Sequence, residues 1–136
     1  MADGGAGSGK INEEPKRVLI VDDDEATRKL LKATVEGLVT PCLVYEVADG
    51  DEAIQFARRN RPDLALVDIV LPGSEASGVM VCRELCRDSR TKVVVVSGQA
   101  SDAITQAALA AGAIAYVRKP FSVDELRTKL EGWLNS

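Results

Sequence analysis

The chain of 136 residues contains no histidine. That absence excludes Ser-His-Asp and Cys-His catalysis, imidazole metal sites, and a phosphohistidine relay within the chain. Cysteine is scarce as well: Cys42, Cys82 and Cys86 are an odd set without CxxC spacing, which argues against a disulfide framework or a zinc site. Cys82 and Cys86 lie one helical turn apart and read as small, reduced core residues. No apolar run approaches the roughly twenty residues of a membrane span, and nothing reads as a signal peptide. Basic patches are also lacking. A formal charge of −4 and a sequence pI near 4.9 argue against nucleic acid as a direct partner. The composition points to one soluble domain in a reducing cytoplasm.

What the chain does have is alternation. Residues 1–15 are Gly-rich and polar and are expected to be a disordered leader or tag, with the domain spanning 16–136. Gly4 to Lys10 imitates a phosphate-binding loop, but Ile11 stands where Ser or Thr is needed and no strand precedes it. From Arg17 onward, apolar runs at Val18–Val21, Leu43–Val47, Leu64–Val67, Val93–Val96 and Ala115–Arg118 read as strands. The second is the most polar and is placed nearest an edge.

Between the runs lie helical patterns. One spans about Ala26–Glu36, with Leu30, Leu31, Thr34, Val35 and Leu38 on its apolar face. A second comes after Asp49-Gly50 and is stopped by Pro62; a third comes after a loop ending at Gly78 and carries Val81, Cys82 and Leu85. The fourth runs from Asp102 to about Ala111 behind a Ser101 cap. The fifth opens on the capping box Ser122-Val-Asp-Glu125 and packs Leu126, Leu130 and Trp133. Five such units predict an α/β fold: a flavodoxin-like doubly wound (βα)5 with a parallel five-stranded sheet of order 2-1-3-4-5.

In that order the strand ends gather Asp22, Asp23, Asp68, Ser97 and Lys119 at the carboxyl edge, where open α/β sheets bind ligands. Clustered carboxylates suit a magnesium ion (or manganese), with Asp23 and Asp68 as direct ligands, Asp22 through water, and the Val70 backbone carbonyl as a further donor. Asp68, at the end of the central strand, is the candidate nucleophile for an acyl phosphate. Lys119 and the Ser97 hydroxyl are placed to neutralise and hydrogen-bond phosphoryl oxygens. Three acids so close are expected to raise at least one carboxyl pKa.

Val-Leu-Ile-Val-Asp22-Asp23, Pro62-Asp-Leu-Ala-Leu-Val-Asp68, Leu71-Pro72-Gly73, Val-Val-Val-Val-Ser97-Gly98 and Val117-Arg-Lys119-Pro120-Phe121 occur in this order. Together they resemble the CheY-like receiver domain family of response regulators in two-component signalling, over about Arg17 to Leu134. The resemblance implies that Asp68 takes phosphate from a sensor histidine kinase or histidine phosphotransfer protein, with magnesium. The domain would catalyse its own phosphorylation and autodephosphorylation without being a metabolic enzyme. It further implies that Tyr116 is a switch aromatic paired with Ser97, that Lys119-Pro120 is a cis peptide, and that the fourth helix, fifth strand and fifth helix form the face for an output partner or a homodimer.

Two departures stand out. The loop Gly73–Gly78 is about two residues longer than the family's usual turn, judged by loop-length norms. Val70 and Gln99 occupy positions where the family tunes phosphate lifetime, and an apolar Val70 is expected to shield the acyl phosphate from water. Two rival readings stand beside this one: a pseudo-receiver that acts as a phosphate-independent interaction module, and an aspartyl phosphatase. The second is disfavoured because Val70 stands where such an enzyme needs an acid.

Overall fold

The computed structural model describes residues 14–69, 75–88, 90–98 and 101–136, with main chain alone at 75–77. The expectations for residues 1–13, including the Gly4–Lys10 motif, and those for Val70, Leu71-Pro72-Gly73 and Gln99 lie outside the described residues. Glu14 and Pro15 are exposed and belong to no element.

The elements are β1 (Lys16–Val21), α1 (Glu25–Glu36), β2 (Cys42–Val47), α2 (Gly50–Asn60), β3 (Leu64–Val67), α3 (Glu75–Leu85), β4 (Lys92–Ser97), α4 (Asp102–Ala110), β5 (Ala115–Arg118) and α5 (Val123–Leu134). The five strands are parallel in the order β2-β1-β3-β4-β5, as the alternation predicts. Their register is continuous across the sheet: Val21 lies opposite both Val47 and Val67, Val67 opposite Val95, and Val95 opposite Tyr116.

Side-chain alternation along each strand builds two separate cores. Leu19, Val21, Ala65, Val67, Val93 and Val95 face Ala53, Val81, Cys82, Leu85 and Ala108, so α2, α3 and α4 cover that side. Val18, Ile20, Leu64, Leu66, Val94 and Val96 face Leu31, Val35, Leu126, Leu130 and Leu134 of α1 and α5. The four valines of β4 are at most 1% exposed, which explains why that run has no polar member. Each such side chain contributes roughly 2 kcal/mol by its removal from water.

Three sequence expectations shift. Leu30 is 47% exposed rather than core; the buried stripe of α1 is Leu31, Thr34 and Val35. On α5 it is Leu134 that is buried, and Trp133 packs at the margin. The loop assigned up to Gly78 is in fact helical from Glu75. Gly78 sits where α3 presses on the end of β3: a Cβ there would lie 1.9 Å from the carbonyl oxygen of Ile69, so only glycine fits. Gly112 is also required, with φ +122 and the Cys86 sulfur 2.8 Å from the position of a Cβ.

All three thiols are free. Burial pushes the Cys82 thiol up to about 12 and the Cys42 thiol up to about 11, and raises Cys86 too, so little thiolate exists at neutral pH. Among the described residues no helix is long and apolar enough to cross a membrane. At the amino edge of the sheet, Glu14 and Ser136 line one cleft together with Lys16, Thr40 and Pro41.

Candidate functional site

The site forms where β1 and β3 stop pairing. The Asp22 N–H still bonds the Val47 carbonyl at 3.2 Å, and the Asp68 N–H bonds the Val21 carbonyl at 2.8 Å. These last rungs of the ladder place the two aspartates side by side. Asp22 is 1% and Asp68 8% exposed, whereas Asp23 is exposed. One oxygen from each of the three carboxylates lies within 4.8 Å of the others.

Lys119 reaches in from the end of β5. Its Nζ donates to Asp22 Oδ2 at 2.7 Å and to Asp68 Oδ2 at 3.0 Å. Burial alone would lower the ammonium's pKa, but the hydrogen bonds to the two carboxylates outweigh it, and Lys119 titrates above an ordinary lysine. The Asp22 carboxyl is raised. Burial is the chief cause, opposed by the Lys119 hydrogen bond and the Asp24 N–H on Oδ1, while repulsion from Asp68 is the smallest contribution. One carboxyl is thus raised as expected, but by desolvation more than by crowding.

Ser97 closes the far wall. Its hydroxyl is buried and finds no hydrogen-bond partner among the described residues, an unusual state for a buried donor. The Ser97 carbonyl, by contrast, accepts twice: from the Lys119 N–H at 3.1 Å and from the Tyr116 hydroxyl at 2.9 Å. Tyr116 therefore lies behind Ser97 rather than in the cleft, with the Arg118 guanidinium 5.7 Å from its ring centroid. The Lys119-Pro120 peptide is cis.

Asp23, Asp68, Ser97 and Lys119 open on a cleft of about 640 Å³ whose other walls are Thr27, Leu30, Gly98, Pro120 and Phe121. Three carboxylates against one ammonium leave two negative charges if all are ionised. An all-oxygen donor set with one member open to solvent fits a hard divalent cation that keeps part of its water shell.

The sequence pattern placed the clustered side chains together but missed their supports. Asp24 is the N-cap of α1, accepting from the Thr27 N–H at 3.1 Å; its place just before a helical pattern was the available signal. Arg28 Nη1 donates to the Asp22 carbonyl at 2.7 Å, a contact that periodicity does not reveal. Leu30 turns out to be a wall of the cleft.

A parallel sheet of this order with these side chains at its carboxyl edge defines a doubly wound α/β domain with an acidic, cation-compatible site. The chain belongs to the response regulator receiver domain family, whose profile matches residues 18–131. It is 34% identical over 119 residues to the DNA-binding response regulator MtrA of Mycolicibacterium smegmatis, covering 88% of this chain and 50% of that protein. It is likewise 34% identical to the probable transcriptional regulator ycf27 of Guillardia theta, covering 90% of this chain and 46% of that one. The chain thus spans about half the length of these curated relatives. Among solved structures it resembles a CheY-like receiver domain protein from Methanospirillum hungatei, with 32% identity, TM-score 0.80, and coverage of 90% and 95% of the two chains. The response regulator domain of Thermotoga maritima CheB is similar at 30% identity and TM-score 0.76, with coverage of 90% and 98%. The chain is a receiver domain of two-component signalling.

Proposed function

We propose that the domain is a phosphorylation switch in which Asp68 is the phosphoacceptor. The observation that carries this reading is the position of the Asp68 carboxylate, buried at the end of the central strand and within 3.0 Å of Lys119, beside two further aspartates. The phosphodonor is a sensor histidine kinase or a histidine phosphotransfer protein. An Asp68 oxygen attacks phosphorus, the N–P bond of the donor breaks, and its electron pair stays on the donor imidazole. Bound magnesium, held by Asp22, Asp23 and Asp68, would supply charge neutralisation for the phosphoryl oxygens. Lys119 shifts from the carboxylates to a phosphoryl oxygen, and the unpartnered Ser97 hydroxyl donates to another.

Tyr116 shares the Ser97 main chain with Lys119, so movement of Ser97 reaches the face of α4, β5 and α5. That face serves the output partner, or a second copy of the chain. DNA binding is named for the relative MtrA; the acidic balance of this domain favours a protein as its own direct contact. Val70 and Gln99 are proposed to set the lifetime of the phosphoryl group.

The test is intact mass after incubation with magnesium and acetyl phosphate. One phosphoryl adduct is expected, absent in Asp68→Asn. No adduct in either protein supports the phosphate-independent interaction module, and consumption of the donor without an adduct points to a phosphatase.

A further inference from the structure

The carbonyl of Asp22 raises a problem of hydrogen-bond accounting. Pairing of β1 ends at Val21, and α1 begins only at Glu25, so neither ladder nor helix offers this oxygen a donor. A buried carbonyl left so is costly. Arg28, in the first turn of α1, supplies the donor: Nη1 lies 2.7 Å from the Asp22 oxygen while Nε lies 3.3 Å from Glu46 Oε1 on the edge strand β2. Both side chains are largely buried, Arg28 at 16% and Glu46 at 17% exposure. Glu46 also draws Lys29 at 3.3 Å and Lys32 at 3.8 Å, both more exposed.

The geometry points to Arg28 as a positioning residue for the acidic site, oriented by Glu46 and acting through the main chain of Asp22. With its carbonyl held by Arg28, Asp22 has every polar group fixed: N–H by Val47, Oδ1 by the Asp24 N–H and Oδ2 by Lys119. The turn Asp22–Asp24 is thereby set, and Asp23 is directed toward Asp68. Supports of this kind characteristically change metal affinity by 10- to 100-fold when removed. The guanidinium fork makes both contacts at once, which a lysine ammonium on a single point does not reproduce. This inference rests on the reading of the site as a divalent-cation site.

Charge alone makes the opposite prediction. Removing a cation near three carboxylates should tighten cation binding, so the variant that isolates positioning is Arg28→Lys, which keeps the charge. Titration of the metal-free protein with magnesium chloride, followed by calorimetry, is expected to show about tenfold weaker binding in Arg28→Lys. Exchange of the Asp24 amide, protected in the parent by Asp22 Oδ1, should be at least about tenfold faster without any metal. Glu46→Asp, which keeps the charge but shortens the reach to Arg28 Nε, should weaken binding by a smaller factor, and stands in if Arg28→Lys does not fold. Equal or tighter magnesium binding in the variants, or unchanged Asp24 exchange in Arg28→Lys, overturns the inference. A parent protein that binds no magnesium overturns the cation-site reading itself, and is a different result.

Discussion

The two edges of the sheet treat polar groups in opposite ways. At the amino edge they are tied off. The Thr91 hydroxyl donates to the Pro62 carbonyl at 2.7 Å, Lys92 Nζ to the Trp133 carbonyl at 2.6 Å, and the Arg17 N–H to Asp63 Oδ2 at 2.8 Å. Glu131 gathers the Val39 and Thr40 N–H groups and the Thr40 hydroxyl. At the carboxyl edge two buried carboxylates share one ammonium, and a buried hydroxyl has no partner among the described residues. The same β-strands run between both edges, so the difference is local. One edge ties its polar groups into the fold; the other crowds carboxylates around one ammonium and leaves a hydroxyl without a partner among the described residues, a cost of the kind that clusters at functional sites.

Substitutions can break or sharpen this contrast. The largest effect is expected from Gly78→Ala, because the added methyl carbon would lie 1.9 Å from the Ile69 carbonyl and α3 must move to admit it. A loss of at least about 3 kcal/mol in urea unfolding is expected. It would show that the carboxyl edge is rigid in its packing around the clustered charges.

Next comes a matched pair. Thr91→Val removes a buried hydroxyl and leaves the Pro62 carbonyl without it, for a cost of about 2 kcal/mol. Ser97→Ala removes a hydroxyl that bonds none of the described residues, so stability should stay within about 0.5 kcal/mol while adduct formation with acetyl phosphate slows. Similar unfolding costs for the two variants would erase the contrast.

The smallest effect concerns acid. Hydrogen bonds from the Thr40 hydroxyl first, then from the Val39 and Thr40 N–H groups, hold the Glu131 carboxyl below its ordinary 4.5. A lowered carboxyl stabilises the fold above its unfolded value, and that contribution is lost as pH falls below about 4.5. Thermal unfolding between pH 6 and pH 3 should therefore fall less steeply in Glu131→Gln. An unchanged slope would mean that the amino edge does not depend on this carboxylate.

The strand order and the meeting of the strand-end side chains were legible because both depend on short apolar runs and on the residue that terminates each of them. Asp22, Asp23, Asp68, Ser97 and Lys119 meet as their positions imply. What escaped has a common cause: it depends on contacts between elements. Gly78 reads as a loop residue in sequence, but it lies inside α3, and it is glycine because the close approach to Ile69 leaves no room for a Cβ. Leu30 and Leu31 are adjacent and chemically alike, and only the tilt of α1 on the sheet decides which is buried. Trp133 and Leu134 differ in the same way. Arg28 reads as an ordinary solvated helix residue until the missing donor for Asp22 is counted.

Glu14 and Ser136 line one cleft at the amino edge, across the sheet from Asp68. The first and last described residues therefore lie on the same side of the sheet. A fluorescent protein or affinity handle joined at either point would stand clear of the acidic cleft. A short bridge between the two points would also convert the fold to a circular permutant, freeing an exposed loop elsewhere as the new entry point.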